Sequence, residues 1–298
     1  KFNFIGKRFI CYTLSLVVVI AGVAAFITRG DSRYGIDFTG GLLQEYRLAT
    51  PVGADQLRAT LAKVGVGDAV LQQFGSPTEW LIRTPSGGET QIQETVARTR
   101  EAINADYSDA NPQMVRLEQV GPTVGAILRQ KAWLAIAWSM VGILLYVAVR
   151  FRHFDFGMAG VIALIHDVVV AAGTLCLLGR QIDLVTVAAL MTIAGFSIND
   201  TIVVFDRIRE NLILMKKESF ATVINASVNQ TLSRTILTSF TVWISAVVLY
   251  SFTATTGGGI ADFSFPLIIG VIAGTYSTIY IAAPIVLWWY KGQRPTHG

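Results

Sequence analysis

The chain has 298 residues, of which 52% are hydrophobic and only 15% charged, and its mean hydropathy is +0.52. A soluble domain of this length carries about 25% charged residues, so much of this chain faces something other than water. A net charge of +4 is too small to mark a nucleic-acid binder. The two cysteines, Cys11 and Cys176, both lie in apolar runs and can form neither a disulfide framework nor a metal site.

The chain opens at Lys1 rather than a methionine, and is therefore expected to be trimmed or to be one half of a longer polypeptide. A spanning helix needs about 20 mostly apolar residues. Phe9–Thr28 qualifies without a single charge. No small-residue cleavage site follows it, so it reads as a retained helix. Residues 29–131 are charged, contain turn signals and hold no run long enough to span. Five further apolar runs follow: Ala132–Val149, Phe156–Leu178, Leu184–Phe205, Thr235–Ala254 and Phe263–Trp289. The last contains Pro266 and Pro284, which predicts tilt or a kink.

Within 29–131 the pattern is that of a small mixed domain. Gly35–Leu48 is strand-like, interrupted by Gly40 and Gly41. Ala54–Val64 has helical spacing. Ala69–Phe74 and Glu79–Thr84 are strands around the turn Gly75–Thr78. Glu89–Tyr107 is a second helix, and Gln113–Val120 closes as a strand. The order βαββαβ is the ferredoxin-like arrangement. Residues 206–230 are less apolar, and Ile208, Leu212, Met215 and Phe220 fit the apolar face of an interfacial helix or a plain connecting helix. The tail, 291–298, is expected to be disordered from Gly292 onward.

Lysine and arginine in the short loops set orientation. Lys1, Lys7 and Arg8, then Arg150 and Arg152, then Arg207, Arg209, Lys216 and Lys217, then Lys291 and Arg294 fall on one side; the opposite short loops hold Arg180 alone. The expectation is a polytopic α-helical membrane protein with six transmembrane helices and one extracytoplasmic α+β domain. It divides as 1–28 with the first helix, 29–131 outside, 132–290 with helices two to six and a cytoplasmic connection 206–230, and 291–298 as a cytoplasmic tail. Both termini are then cytoplasmic.

Ionisable groups inside spanning helices cost roughly 2.5–3.5 kcal/mol each on insertion scales, and they mark function or specific pairing. Asp200 stands in the fourth run with Ser197 one turn before it and Asn199 and Thr201 beside it. Arg234 heads a stripe continued by Thr238, Thr241 and Ser245. The simplest reading joins Asp200 to Arg234 inside the bundle. A carboxylate that loses its cation in an apolar setting takes up a proton, so such a pair can carry protons. A static salt bridge is the alternative, and Arg234 could instead reach the cytoplasmic surface. His166 and Asp167 lie near the middle of the third run; adjacent helical residues point in different directions, so the pair reads either as secondary proton chemistry or as a structural hydrogen bond. Gly35–Gly41 lacks the Lys-Ser/Thr ending of a phosphate loop. No Walker motif, metal cluster or Ser-His-Asp constellation appears, which gives no basis for an enzyme, a cofactor or a metal.

Three segments carry a family resemblance. Gly35-Ile36-Asp37-Phe38-Thr39-Gly40-Gly41, the run from Ser197 to Glu210 (SINDTIVVFDRIRE), and Leu232–Ser239 (LSRTILTS), with Ala163–Asp167 in support, resemble the motifs of the SecD/SecF family of protein-export membrane proteins. The SecF branch is the better match, and it covers essentially the whole chain. The resemblance implies a bacterial inner-membrane accessory subunit that pairs with SecD, separately or in one fused polypeptide. It implies assistance to export of unfolded preprotein through SecYEG, with YajC as a further partner, drawing on the proton gradient. It also implies half of a resistance-nodulation-division transporter fold, and proton conduction linked to the positions of Asp200 and Arg234. Ser197, Asn199, Thr201, Thr238, His166 and Asp167 are the secondary candidates. A half-size efflux transporter and a passive translocon scaffold are the rival readings.

Overall fold

The computed structural model describes residues 2–74, 76–84, 89–151, 154–254 and 259–295. Gly75, Arg152 and residues 296–298 lie outside the described residues. The chain forms two compact units. One comprises Lys1–Arg33, Trp133–Tyr250 and Ile260–Gly298; the other comprises Tyr34–Ala132 with Ser251–Gly259.

In the second unit a helical turn, α2 (Ile36–Thr39), precedes β1 (Gly41–Arg47). Then follow α3 (Ala54–Lys63), β2 (Val70–Phe74), β3 (Ser76–Thr84), α4 (Glu89–Asp106) and β4 (Gln113–Val120). The sheet is antiparallel with strand order β2-β3-β1-β4, which with the interposed helices is the ferredoxin-like arrangement. Alternation puts Tyr46, Trp80 and Ile82 on one face. There they pack with Leu57 and Leu61 of α3 and Ile103 of α4. Leu43 and Leu81 point to the opposite face and pack with Ile36. The strand expected from Gly35 begins only at Gly41. Gly40 has φ +71° and Gly41 φ +140°, so the chain leaves α2 through two conformations that suit glycine and cannot continue as a strand. A side chain at Gly41 would also meet the Thr84 carbonyl oxygen at 2.8 Å. At the other turn the strand runs back to Ser76, three residues further than the spacing suggests, with Phe74 opposite Ser76.

The first unit is helical. Its elements are α1 (Arg8–Thr28), α5 (Pro122–Phe151) from Trp133 onward, α6 (Phe154–Leu177), α7 (Leu184–Leu214), α8 (Phe220–Thr253) and α9 (Gly259–Ser277). A π-helical turn at Thr278–Ala282 then leads into α10 (Ala283–Trp289). Among the described residues six spans are long and apolar enough to cross a membrane. At 1.5 Å per residue, the 34 residues of α8 reach well beyond a hydrocarbon layer of about 30 Å. The helices therefore extend past the apolar runs that define them in sequence. In particular, 206–230 is not an interfacial helix. α7 continues to Leu214 and α8 starts at Phe220, and Ile208 and Phe220 are buried in the bundle core. Pro284 lacks the N–H that an unbroken α-helix needs, and the π turn precedes it directly.

Small residues bring the helices together. A Cβ on Gly173 of α6 would lie 2.6 Å from the Gly22 Cα of α1, so the two backbones touch. Gly274 of α9 meets Ser197 of α7 in the same way, at 3.0 Å. At one end of α1 the Arg29 guanidinium donates to the carbonyls of Cys176, Gly179 and Arg180 at 2.8–3.2 Å, capping α6. At the other end Asn225 and Asn229 of α8, one turn apart, hold the backbone of Phe2 and Phe4 through bonds of 2.8–3.0 Å. In the tail, Arg294 donates to the Leu212 and Met215 carbonyls, satisfying the end of α7, so the disorder expected from Gly292 is not seen at Arg294.

Candidate functional site

Among the described residues three acidic side chains are buried within the bundle, Asp155 at the start of α6, Asp167 and Asp200, and hydroxyl groups surround the last two. Asp200 of α7 is 3% exposed. It accepts hydrogen bonds from Ser239 at 3.2 Å and Thr238 at 3.5 Å, both on α8. Thr275 of α9 donates to Ser239 at 2.7 Å, so three helices meet around this acid. A groove of about 590 Å³ lined by residues of α8 and α9 includes Ser239 and Thr275. Arg234 lies on α8 one turn before Thr238. It is exposed and attracts the carboxylate, yet among the described residues it makes no ion pair with Asp200. The direct contact expected from sequence is replaced by the hydroxyls of the next turn, because Thr238 and Ser239 face α7 while Arg234 stands outside the bundle.

Asp167 of α6 is fully buried. Its Oδ2 accepts from Ser197 of α7 at 2.6 Å and from Ser277 of α9 at 2.7 Å, and its Oδ1 lies 3.0 Å from His166 Nδ1. The adjacent pair does meet, despite the angular separation that helical geometry gives neighbouring residues. His166 Nε2 lies 3.0 Å from the Ser15 hydroxyl of α1, which donates to the Tyr276 hydroxyl at 3.3 Å. Tyr276 in turn donates to the Cys11 carbonyl at 2.5 Å.

The companions that sequence placed around Asp200 therefore divide. Ser197 serves Asp167. Thr201 shares a 3.0 Å hydrogen bond with Thr278 in the π turn. Asn199 is exposed. Thr238 alone reaches Asp200 as expected. Sequence reasoning missed Ser239, Thr275, Ser277, Ser15 and Tyr276. The signal for Ser277 was present: Gly270, Gly274 and Ser277 form a small-residue stripe at helical spacing, which marks a face that meets another helix. Further along α7, the Arg150–Asp206 and Arg207–Glu210 pairs, at 2.9 and 2.5 Å, are partly exposed and read as ordinary surface ion pairs. Among the described residues no group of acidic, histidine or cysteine side chains could hold a metal ion.

A family model described as protein export membrane protein SecD/SecF, C-terminal, matches residues 99–292. The chain is 41% identical over 292 residues to the protein translocase subunit SecF of Desulfurispirillum indicum, covering 96% of this chain and 91% of that one. It is 36% identical over 287 residues to the SecF subunit of Pseudomonas aeruginosa, with 96% and 90% covered. Among solved structures it is similar to SecDF of Thermus thermophilus, described as a translocon-associated membrane protein, with a TM-score of 0.86 and 35% identity. The match covers 98% of this chain but 39% of that one, so this chain spans well under half the length of the SecDF polypeptide. These matches run through both units and through Asp167 and Asp200, and on them the chain belongs to the SecD/SecF family of protein export membrane proteins, where it aligns with the SecF subunits of the protein translocase.

Proposed function

We propose that this translocase subunit acts with SecD at the SecYEG channel and draws on the proton gradient to promote preprotein export across the bacterial inner membrane. Asp200 is the proton carrier, and Arg234 tunes it. The observation that carries this reading is the environment of Asp200: a carboxyl group 3% exposed, served by neutral hydroxyls and without an ion-pair contact among the described residues. A permanently ionised carboxylate in an apolar interior is very costly without a paired cation, whereas hydroxyl donors can serve an ionised or a neutral carboxyl. In this reading Arg234 attracts the ionised form from the bundle surface without locking it. The SecDF relatives, one of them described as a super-membrane-facing form, support the partnership with SecD.

The lysine and arginine asymmetry favours cytoplasmic termini and an extracytoplasmic position for the sheet domain. The role is transport rather than catalysis, in keeping with the names of the relatives. The test is proton flux in vesicles holding the chain in complex with SecD. The wild type is expected to conduct, and Asp200→Asn is expected not to. Equal flux from the two overturns the reading, and a passive scaffold predicts no flux from either.

A further inference from the structure

The hydrogen-bond directions around His166 fix how many protons the His166–Asp167 dyad holds. The Tyr276 hydroxyl has one hydrogen, and it points at the Cys11 carbonyl, which can only accept. Tyr276 therefore accepts from Ser15. The single Ser15 hydrogen is thereby used, so Ser15 accepts from His166, and Nε2 carries a proton. At the other end Asp167 Oδ2 already accepts from Ser197 and Ser277. The 3.0 Å contact between Nδ1 and Oδ1 must also hold a proton, since a bare nitrogen facing an ionised oxygen is repulsive. The dyad thus holds two protons and is neutral overall, whether the second sits on nitrogen or on oxygen.

We propose that His166 and Asp167 form a second proton-binding site, separate from Asp200, whose occupancy sets the direction of the Ser15 hydroxyl and through it the contact between α1 and α9. When the dyad releases one proton, the remaining one stays on Nδ1 towards the ionised Asp167. Nε2 is then bare and accepts from Ser15, whose hydrogen turns away from Tyr276. One proton leaves and the charge of the dyad changes from zero to minus one; no other bond is made or broken. The released state keeps the Ser197 and Ser277 donors on Asp167, so α6, α7 and α9 stay joined while α1 loses the Ser15–Tyr276 bond and keeps the one from Tyr276 to the Cys11 carbonyl.

The groups that face the dyad fit such a switch. From α1 come Ser15 and the Cys11 carbonyl, with Cys11 and Tyr12 as titratable neighbours of Tyr276. From α7 comes Ser197, and from α9 come Tyr276 and Ser277. Tyr280 of the π turn stacks obliquely on Tyr276 with ring centroids 5.3 Å apart. Among the described residues Asp167 is in contact with His166, Ser197 and Ser277 and makes no ion pair with a lysine or arginine. The Gly22–Gly173 contact holds the α1 and α6 backbones together a short way along from Ser15 and His166, so a change at Ser15 acts on a helix already fixed at its other end. The proposal does not depend on the role assigned to Asp200.

Nitrogen NMR of the full chain labelled at histidine, in lipid nanodiscs, reads the switch directly. Of the three histidines, His166 is identified by the signal that disappears in His166→Gln. The expected result is Nε2 protonated at low pH, giving way at higher pH to a neutral ring protonated on Nδ1. Tyr276→Phe removes the acceptor for the Ser15 hydrogen, which then turns to Nε2 and favours the released state. Its midpoint is expected to fall by about half to one pH unit, the size of one net hydrogen bond, and Asp200→Asn is expected to leave the midpoint in place. A His166 ring protonated on Nδ1 alone at every pH overturns the proposal without any variant. So does a midpoint that Tyr276→Phe leaves unmoved, because a purely structural role for Tyr276 predicts no shift.

Discussion

The sheet domain and the helix bundle both bury acidic side chains, and they treat them in opposite ways. In the sheet, Glu79 is 4% exposed and meets Arg47 at 2.6 Å. Glu45, 2% exposed, lies opposite Arg116 across the β1–β4 ladder, and Arg116 also holds Glu118 at 2.6 Å. Glu79 is held by an arginine on the neighbouring strand, its position set by strand register, whereas Arg116 only partly offsets the burial of Glu45. In the bundle, Asp167 and Asp200 are served by serines, a threonine and one histidine. An arginine partner keeps a carboxylate charged. A hydroxyl donor serves it without fixing its charge. The sheet therefore stores charge as structure, and the bundle keeps it available.

The comparison breaks most sharply at Asp200. Asp200→Asn keeps the size and hydrogen-bonding capacity of the side chain and removes the exchangeable proton. The expected outcome is a folded, membrane-inserted chain with gradient-driven export abolished, measured in inverted vesicles with SecD and the channel present. The double change Asp200→Asn with Arg234→Gln should not recover export. Recovery would mean that the two residues only hold helices together.

In packing, both regions hold cores of large apolar side chains, and the bundle adds backbone contact at its glycines. Ile103 is fully buried against β1, β3 and α3. Ile103→Ala is expected to destabilise the sheet domain by about 2–5 kcal/mol, seen as faster hydrogen exchange of the β1 and β3 amides while the bundle amides keep their protection. Gly173→Leu acts on the other region. Its Cβ meets the Gly22 backbone, which cannot turn aside, and overpacking of this kind costs about 1–3 kcal/mol. The expected sign is lower thermal stability in detergent with exchange raised in α1 and α6. Equal exchange changes in both regions for either variant would show that the two do not unfold as separate units.

Most of the architecture was legible because it rests on composition. Six apolar runs and an alternating segment follow from what lipid and water each demand of a side chain. The four strands and two helices of the small domain were readable because each has one face in a core. The errors fall where local backbone conformation decides, as at Gly40 and Gly41, and at helix ends, where α7 and α8 run past their apolar segments. Asp200, Asp167 and His166 stood out because charge in an apolar run is rare. Their partners did not, since Ser239, Ser277 and Ser15 are small polar residues of a kind frequent in membrane helices, and helical spacing within one run cannot say which neighbouring helix a serine will face. That choice is made by the Gly22–Gly173 and Gly274–Ser197 approaches, which are tertiary.

The smallest expected effects lie in the pH dependence of the sheet domain, where two acids shift in opposite directions. Burial is the main influence on Glu45 and raises its carboxyl above the usual range, against the pull of Arg116; its Oε1 has no hydrogen-bond partner among the described residues. A group raised on folding favours the native state below its unfolded value, about 4.3, and that contribution is lost as the pH climbs through the folded value. Asp106 is lowered by hydrogen bonds from Lys63 at 2.6 Å and Thr60 at 2.7 Å. Its contribution is complete above the unfolded value, about 3.9, and disappears as the pH falls through the depressed one. Glu45→Gln should therefore be more stable than the wild type at pH 7 and level with it in acid. Asp106→Asn should be less stable at pH 7 and level with it only once the medium is more acidic than the lowered carboxyl. Hydrogen exchange of the β1–β3 amides across this range separates the two. If Glu45→Gln were instead the less stable at neutral pH, the attraction of Arg116 would outweigh burial, and Glu45 would belong with the fixed charges of the ladder rather than standing as the one acid in the sheet that resembles those of the bundle.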